Sequence, residues 1–588
     1  MSANTMVRYE PDDKPSHLLS IAMGGQIVAL ILTAIVLSPI VVARSAGLSP
    51  ADTAWMLCFA LAVSGLITLL QAKPIGRFGS GYVLFMGSNS AYIALCVQAI
   101  TDGGLAMMMT LIVISSFAQF AFAANLGALR RILTPAVGGI VVMLIAVSVA
   151  PIVWRQMRTL PAGYESTSLV PWVIASTLVP IVLISLFDRG VFRLWAPLIG
   201  VLTGCIVALS IGLMDLSPVW SAAWIGLPEW AWPGFDLSFN ASFWALIPAF
   251  TLVTLVGAIE TYGDAVAVQR IAHRKQRPID FRVVQGAIYA DGMGNMVSGL
   301  AGTVPNTVYS TSVAVTELTG VAARRVGLWG GALLILLAFS PKIAALLNAI
   351  PSPVAGAYIL LLLVLLFGHG IRLLNEEGMG YEIGLVVCLS FWVGVGFQEG
   401  RFYNELLPQW MQVFLGNATT AGGLTAMLLT AMLSLRHRSR DRLDVPLKPE
   451  SLGPIRQTVK RFAARLGWDQ QAENRLMLVV EEALLFFLEQ AERTRDRQPE
   501  QKLRLVMRHI DGEAELEFVA GRLADNIEQV IADMPPANFD DDIDDQLSLR
   551  LIRGLAKDVK HVQFQTTDYL LIRMDSALSH PQGTPGDT

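Results

Sequence analysis

Long apolar stretches separated by short polar joints fill the first three quarters of the chain. Between about residue 17 and residue 435 these stretches recur at lengths of roughly 20 residues, which a helix needs to cross about 30 Å of hydrocarbon. After the basic stretch SLRHRSRDRLD, the pattern of hydrophobic and polar positions becomes that of a soluble domain. The pattern predicts an all-α polytopic membrane protein that carries a small soluble domain near its C-terminus.

Fourteen apolar stretches are candidate spans, which gives two halves of seven. They begin near residues 17, 51, 79, 103, 134, 170, 193, 242, 283, 304, 326, 352, 381 and 408. The third and the tenth are interrupted by Gly or Pro, and Gly81, Pro305 and Asn306 lie at the interruptions. Matching interrupted segments are typical of inverted-repeat transporters whose site lies at the bilayer midplane. We therefore predict a 7+7 inverted repeat with broken spans 3 and 10, in which these three residues have structural roles.

Lys and Arg residues concentrate in alternate joints between the candidate spans. A pair lies at Arg130 and Arg131 and a cluster of five lies between residues 270 and 282, whereas the intervening joints hold few. Basic loops stay on the cytoplasmic side of a membrane. The distribution therefore predicts a multi-pass protein of the cytoplasmic (inner) membrane with both termini in the cytoplasm.

The composition supports exposure to lipid and excludes several other classes of protein. Hydrophobic residues make up 53% of the chain and charged residues 15%, whereas about a quarter of the residues in soluble proteins are charged. The sequence contains no Gly-x-x-x-x-Gly-Lys-Ser/Thr loop and no HExxH pair, which argues against a fused ATP motor of that kind and against a membrane metalloprotease. We expect gradient-driven transport with no enzyme activity, no cofactor, no bound metal and no nucleic-acid partner.

Three acidic residues interrupt the apolar pattern. Glu260 and Asp264 lie four residues apart in VTLVGAIETYGDAVAV, so a helix would place both on one face. Asp291 follows in YADGMGNM, where the neighbouring Gly292 and Gly294 allow close approach of another segment. An ionised group in the bilayer costs a few kcal/mol or more, so these carboxylates predict a proton or cation relay. The alternative is that Asp264 and Asp291 accept hydrogen bonds and hold the broken spans in place.

These motifs resemble those of the nucleobase-ascorbate transporters, or nucleobase:cation symporters, which include the bacterial uracil and xanthine permeases. The likeness covers about residues 17 to 435, and AIETYGD is similar to the eighth-span motif of that family. The resemblance implies that Glu260 hydrogen-bonds ring N–H groups of a base. It also implies that Asp264, Asp291 and Glu260 take part in proton coupling.

The tenth stretch, VPNTVYSTSVAVTELTG, is similar to the bacterial tenth-span signature of the same family and departs from it at one pair. Thr311 and Ser312 stand where the family has Gln or Glu followed by Asn. The family's Gln-His of the first span is Gln26-Ile27 here, and Asn89 stands where purine-specific members often carry a polar residue. The resemblance implies the following substrate-binding residues: Glu260, Thr311, Ser312, Tyr309, Asn89 and Gln26. The departures bear on which heterocycle is bound, because a short hydroxyl removes one partner for the base edge.

The soluble region after the spans reads as two amphipathic helices and two hairpins. This order resembles the small ATPase domains of anti-sigma-factor serine kinases and histidine kinases, but Phe486 occupies the position of the magnesium-binding Asn. The resemblance implies a small cytoplasmic α/β sandwich that is non-catalytic and binds a regulatory partner. The predicted domains are a cytoplasmic tail at 1–16, the transporter at 17–435, a basic linker at 436–447, the kinase-like domain at 448–576 and a disordered tail at 577–588.

The resemblance implies a secondary transporter that couples a proton gradient, in preference to sodium, to symport of a planar nucleobase of the xanthine, urate or uracil class. It implies a homodimer in the lipid bilayer. Two alternatives stay open at this point. One is a ligand sensor that signals through the C-terminal domain, and the other is an anion permease of the sulfate-permease class, which shares the fold without the glutamate motif.

Overall fold

The computed structural model describes most of the chain. The described residues are 7–126, 135–160, 167–188, 192–228, 232–275, 277–377, 380–400, 407–408, 411, 415–436, 440–493, 502–510, 513–521, 547–563 and 567–575. They form two compact units, one made of residues 1–276 and 283–433 and the other of residues 277–282 and 434–588. The predicted disordered tail at 577–588 lies outside the described residues.

The first unit is almost entirely helical. Its elements are α1 (His17–Ser45), α2 (Pro50–Ala72), β1 (Met86–Ser88), α3 (Ile93–Ala124), α4 (Pro135–Arg158), α5 (Val170–Phe187), α6 (Phe192–Ser210), α7 (Ser217–Ser221), α8 (Ala241–Ile271), α9 (Phe281–Ala301), β2 (Asn306–Val308), α10 (Ser310–Thr319), α11 (Arg324–Ala338), α12 (Pro341–Asn348), α13 (Ser352–Glu377), α14 (Tyr381–Gln398) and α15 (Ala418–Arg436). The helical class predicted from the apolar pattern is confirmed.

Within the described ranges, nine helices are long and apolar enough to cross a membrane, or ten if α11 and α12 form one span with an 81° bend. The third and fourth predicted spans meet within α3, where Gly104 has non-helical angles, φ 74° and ψ −177°, and separates two helical segments. The tenth and the fourteenth predicted spans appear as the short helix α10 and as the shorter apolar helix α15. A multi-pass membrane protein follows from these helices, and the count of fourteen spans stays a prediction.

The third and tenth predicted spans are each broken by a short strand. β1 and β2 pair in antiparallel register, with Met86 opposite Val308 and Ser88 opposite Asn306. Two further backbone bonds extend the pairing, from Asn89 N–H to Pro305 O at 2.8 Å and from Tyr309 N–H to Phe85 O at 2.8 Å. Because both strands are buried, this mutual pairing satisfies backbone groups that apolar surroundings would otherwise leave without partners.

The first described residues are bound to the link between α10 and α11. The backbone N–H groups of Arg8 and Tyr9 donate to Gly320 O at 2.8 and 3.0 Å, and Ala322 N–H donates to Tyr9 O at 2.9 Å. Gly320 ends α10 with a positive φ of 68°, which a glycine adopts at little cost. The described part of the predicted N-terminal tail is therefore paired with the rest of the chain.

Arginine side chains add to this attachment of residues 7–15, which we call the N-terminal strap. Arg274, beyond the end of α8, donates to the carbonyl oxygen of Arg8 at 2.8 Å. Arg324 forms an ion pair with Asp12 at 3.0 Å and donates through Nε to Gly81 O at 2.6 Å. The strap is thus linked to α8 and to the loop that leads into β1.

The second unit contains an antiparallel five-stranded sheet in the order β3-β4-β5-β7-β6. Its elements are β3 (Arg440–Pro446), α16 (Leu452–Leu466), α17 (Gln470–Arg493), β4 (Lys502–Ile510), β5 (Glu513–Gly521), α18 (Leu547–Leu555), β6 (Asp558–Gln563) and β7 (Thr567–Met574). The prediction of a small C-terminal domain with a sheet is confirmed. Strand β3 falls inside the predicted basic linker at 436–447, because Leu443 and Val445 alternate with charged residues and can pair along β4.

The helices and one face of this sheet share a hydrophobic core. Phe462, Phe487 and Phe518 are fully buried in it, and Phe486 belongs to the same cluster. On the opposite face, Arg508 pairs with Glu515 at 3.2 Å and with Glu517 at 2.7 Å. Phe486, predicted to replace a magnesium-binding residue, thus packs in the core of the domain.

Candidate functional site

Helix α8 places Glu260 in its third quarter, at the level of the broken segments. The helix begins after Asn240, whose side-chain oxygen accepts a hydrogen bond from Phe243 N–H at 2.9 Å. The Glu260 side chain is half-buried, and it forms no hydrogen bond with any residue that the structure describes. A carboxylate in such a position has both oxygens available to accept donors from a ligand.

Asp264, one helical turn further along α8, is joined to the start of α10. The hydroxyl group of Ser310 donates to Asp264 Oδ2 at 2.9 Å. Ser310 is the first residue of α10, so this bond connects the predicted relay residue to the tenth broken segment. Glu260 and Asp264 are one helical turn apart and lie on the same face of α8.

Asp291 lies on α9 and is almost completely buried. Its Oδ2 atom accepts hydrogen bonds from Thr261 Oγ1 at 2.8 Å and from Gln119 Nε2 at 2.7 Å. The Gln119 oxygen accepts in turn from Asn295 Nδ2 at 2.8 Å, and Asn295 Oδ1 accepts from the backbone N–H of Asn306 at 2.7 Å. A continuous network therefore connects α8, α9, α3 and β2.

The two glycines beside Asp291 make room for the residues of this network. A Cβ atom on Gly292 would lie 3.0 Å from the Phe120 ring and 3.5 Å from Gln119 Cγ. A Cβ atom on Gly294 would lie 3.4 Å from Asn306 Cβ. Ile67 on α2 lies closer still to the Gly294 Cβ position, at 3.2 Å, so the close approach expected from the sequence is made by α2, α3 and β2.

Asn89 lies between β1 and α8. Its Oδ1 atom accepts a hydrogen bond from Ala91 N–H at 2.9 Å and caps the turn at Ser90–Tyr92. Its Nδ2 atom lies 3.5 Å from where a Cβ atom on Gly257 would be. Gly257 precedes Glu260 by about one helical turn, so the Asn89 amide lies on the same part of α8 as the carboxylate.

Three other predicted site residues belong to the broken segments themselves. The Tyr309 hydroxyl group donates to Ser88 O at 2.7 Å, and the fully buried Ser312 hydroxyl donates to Tyr309 O at 2.8 Å and accepts from Phe85 N–H at 3.3 Å. These bonds join α10 and β2 to β1. Thr311 is half-buried at the start of α10.

Of the remaining predicted residues, Gly81 and Pro305 lie next to the short strands, and Gln26 lies on α1. Gly81 has a positive φ of 76° and donates its N–H to Gln71 O at 2.7 Å, in the loop before β1. Pro305 precedes β2 and pairs with Asn89 as described above. Gln26 is half-buried on α1, and the described contacts do not join it to Glu260 or Asp291. The substrate and coupling roles of these residues stay predictions.

Sequence reasoning missed four residues that the structure brings to this site. They are Gln119, Thr261, Asn295 and Ser310. Each is a polar residue within or beside an apolar helix, and Thr261 and Asn295 lie within the acidic motifs quoted above. A signal existed for Gln119 and Asn295, because an amide in an apolar span needs a partner, but the sequence does not name that partner.

The arrangement is a polar cluster enclosed by membrane-spanning helices. It holds one open carboxylate, two bonded carboxylates and a pair of short strands followed by half-helices. The N-terminus of such a half-helix presents unpaired N–H groups that can bind a ligand oxygen. Carboxylate acceptors and half-helix donors together suit a small ligand that carries both N–H groups and carbonyl oxygens.

The family comparison identifies the class of this protein. The family model Xan_ur_permease, described as the permease family, matches residues 19–400, which is more than half of the chain. With the apolar helices described above, the match defines a membrane transporter and not an enzyme. The chain belongs to this permease family.

Two relatives are similar along nearly their whole lengths. Xanthine permease XanP of Escherichia coli (strain K12) is 25% identical over 444 residues, which cover 72% of this chain and 94% of XanP. Nucleobase transporter PlUacP of Paenibacillus larvae subsp. larvae is 25% identical over 424 residues, which cover 72% of this chain and 96% of PlUacP. Among solved structures, the transmembrane domain of a cyanobacterium bicarbonate transporter BicA superposes with a TM-score of 0.45 at 16% identity, over 72% of this chain and 100% of that one.

Proposed function

We propose that this protein is a proton-coupled symporter of a planar nucleobase of the xanthine, urate or uracil class. The observation that carries the proposal is the Glu260 carboxylate, which is open on α8 beside the Asn89 amide and the two broken segments. Membership of the permease family and the names of the relatives XanP and PlUacP support the same class of substrate.

The geometry suits the edge of such a base. A carboxylate can accept two N–H bonds side by side, and bonds to an ionised acceptor are roughly twice as strong as neutral ones. In the proposed complex, Glu260 accepts two ring N–H groups, while Asn89 and the N–H groups at the start of α10 donate to exocyclic oxygens. The further residues that we assign to the substrate are Tyr309, Thr311, Ser312 and Gln26.

Proton coupling is proposed from the three neighbouring carboxyl groups. Like charges repel each other in a medium of low dielectric constant, and Glu260 lies one turn before Asp264 on α8 and next to Thr261, which is bonded to Asp291. A proton that enters with the base reduces this repulsion, and its release on the other side restores it. A proton gradient can therefore drive the base across the membrane through Glu260, Asp264 and Asp291.

The finer architecture is part of the proposal. We assign fourteen spans in a 7+7 inverted repeat with broken spans 3 and 10, both termini in the cytoplasm, and a homodimer in the cytoplasmic membrane. The antiparallel pairing of β1 with β2 supports the repeat, because matching segments of inverted halves meet in opposite directions. For the second unit we propose a non-catalytic role in binding a cytoplasmic regulatory partner.

The test is uptake of labelled xanthine, urate and uracil by cells that express the protein, at an outside pH of about 5.5 and about 8. We expect uptake of one base, faster at the acidic pH because protons enter with it, and its loss in Glu260→Gln at equal expression. The matched control is Glu382→Gln, which makes the same change at an exposed glutamate in the first turn of α14 and should leave uptake intact. No uptake of any of the three by the unaltered protein in the membrane would contradict the proposal.

A further inference from the structure

The hydrogen bonds around Asp291 can be donated in one direction only, and a backbone N–H group sets that direction. The N–H group of Asn306 can only donate, so the Asn295 atom that it meets at 2.7 Å must be the carbonyl oxygen. The other end of the Asn295 amide is then the NH₂ group, which donates to Gln119. Gln119 must in turn present its NH₂ group to Asp291. One backbone N–H thus fixes the orientation of both amides.

The chain of bonds ends on one carboxylate oxygen, which accepts two hydrogen bonds. Asp291 Oδ2 accepts from Gln119 and from Thr261, whereas Oδ1 is buried and has no hydrogen-bond partner in the described part of the chain. Asp291, Gln119, Thr261 and Asn295 are all at most 4% exposed, so water does not compete for these groups. A hydrogen bond to a charged group under such conditions is among the strong ones in a protein.

The same bonds reach the parts of the proposed site that contact the base. Thr261 follows Glu260 directly on α8, so its bond to Asp291 fixes the rotation of that helix about its axis. Asn306 is the first residue of β2, which pairs with β1 and leads into α10. Gln119 lies on α3, and its amide bonds both Asp291 and Asn295.

We propose that Gln119 is a positioning residue that holds β2 and α8 together through Asp291. The inference rests on the proposed function, because β2 and α8, which Gln119 holds together, are elements that we assign to binding of the base. It gives Asp291 the role of an anchor whose carboxylate fixes the broken segment. Gln119 acts through Asn295 and Asp291 and does not itself contact the base.

The test is hydrogen–deuterium exchange of residues 303–309 in the purified full-length protein without any ligand. Gln119→Met keeps the length of the side chain and removes both amide bonds, so we expect exchange in this segment to become about tenfold faster. The matched control is Gln285→Met, because Gln285 is a buried glutamine of α9 that donates to Ala123 O on α3. Equal exchange in the two variants would overturn the inference.

Exchanging the amide at residue 119 with the carboxylate at residue 291 distinguishes loss of these specific hydrogen bonds from general loosening of the fold. In the double variant Gln119→Glu with Asp291→Asn, the new carboxylate at 119 can accept from Asn295 and from the amide at 291, and the amide oxygen at 291 can accept from Thr261. Gln119→Glu alone places two carboxylates against each other, so we expect it to exchange faster than the unaltered protein and the double variant to return to within about threefold of it. A double variant that exchanges as fast as Gln119→Glu alone would also overturn the inference.

The exchange measurement and the uptake measurement test different proposals, so each result can contradict one proposal and leave the other intact. Exchange in residues 303–309 needs no substrate, so it reports the network even if none of the bases tested is transported. Absence of base uptake by the unaltered protein would therefore contradict the proposed function alone. Unchanged exchange in Gln119→Met, with base uptake intact, would contradict the positioning role alone.

Discussion

Tyr309 fills the space that any side chain at residue 87 would need. A Cβ atom on Gly87 would lie 2.2 Å from the Tyr309 ring, and the hydroxyl group of that ring donates to Ser88 O at 2.7 Å. Gly87 lies in β1 and Tyr309 follows β2, so the aromatic ring closes over the pair of strands. The glycine is required here by the close approach of the ring.

Gly87→Ala is expected to destabilise the transmembrane unit by about 1 to 3 kcal/mol, because the methyl group would push the ring away from β1. The measurement is thermal unfolding of the purified protein, together with base uptake in cells. Gly384→Ala is the control, since a Cβ atom at that position of α14 meets nothing within 4 Å. Equal unfolding temperatures for the two variants would contradict the packing described here.

Tyr309→Phe keeps the ring and removes only the hydrogen bond to Ser88 O. We expect a loss of about 0.5 to 1.5 kcal/mol in the free energy of unfolding, which is less than that of Gly87→Ala. The same thermal unfolding measurement checks it. A larger loss than in Gly87→Ala would show that the hydroxyl group, and not the ring, holds the strands together.

Ser310→Ala removes the hydrogen bond to Asp264. Since this bond joins α8 to the start of α10, we expect uptake of the transported base to fall by up to about tenfold. Ser310→Thr keeps the hydroxyl group and should retain most of the uptake. If the alanine and threonine variants transport equally, the bond has no part in transport.

Arg324→Gln is expected to loosen the N-terminal strap. The side chain joins Asp12 to Gly81 O, but Arg324 is 41% exposed, so we expect a loss of only about 1 kcal/mol. The measurement is the rate of trypsin cleavage after Arg8 in the full-length protein, which should rise severalfold. Arg193→Gln, on the first turn of α6, is the control and should leave that rate unchanged.

Acid is expected to destabilise the second unit through His561. Burial lowers the pKa of His561 to about 3, whereas the unfolded chain titrates near 6.5. The folded unit therefore holds His561 neutral, so the stabilisation is complete above about pH 6.5 and is lost as the pH falls from there toward 3. At pH 5 the loss amounts to about 2 kcal/mol.

The measurement is denaturant unfolding of the second unit in the full-length protein at about pH 7.5 and about pH 5, with the unfolded fraction determined by pulse proteolysis. The same protein carrying His561→Gln is compared at both pH values. Glutamine does not titrate, so the variant should lose about 2 kcal/mol less than the unaltered protein between them. Equal losses would show that His561 is not held neutral in the folded unit.

The helices could be read from the sequence because the membrane sets their length and composition. The predicted starts at 17, 170, 352 and 381 coincide with the first residues of α1, α5, α13 and α14. Their most apolar windows have mean hydropathies between 1.4 and 2.5, so a simple hydropathy boundary suffices. The interruption of the third and tenth stretches could also be predicted, because Gly and Pro affect the backbone conformation locally.

What the sequence did not reveal depends on contacts between distant residues. Gln119 and Asp291 are separated by 172 positions, and β1 pairs with β2 across an interval of more than 200 positions. A polar residue in an apolar span indicates that a partner exists, but every other such residue is a candidate partner. The N-terminal strap was missed for the same reason, because its polar sequence is also typical of a free tail.

The N-terminal strap also constrains the order in which the protein is made. Arg325 donates to Pro15 O at 2.9 Å across 310 positions of the chain. Ribosomes add about 5 to 20 residues per second, so about 15 to 60 s pass between synthesis of the two residues. The N-terminal strap thus has to wait, without this native partner, while about 310 further residues are added.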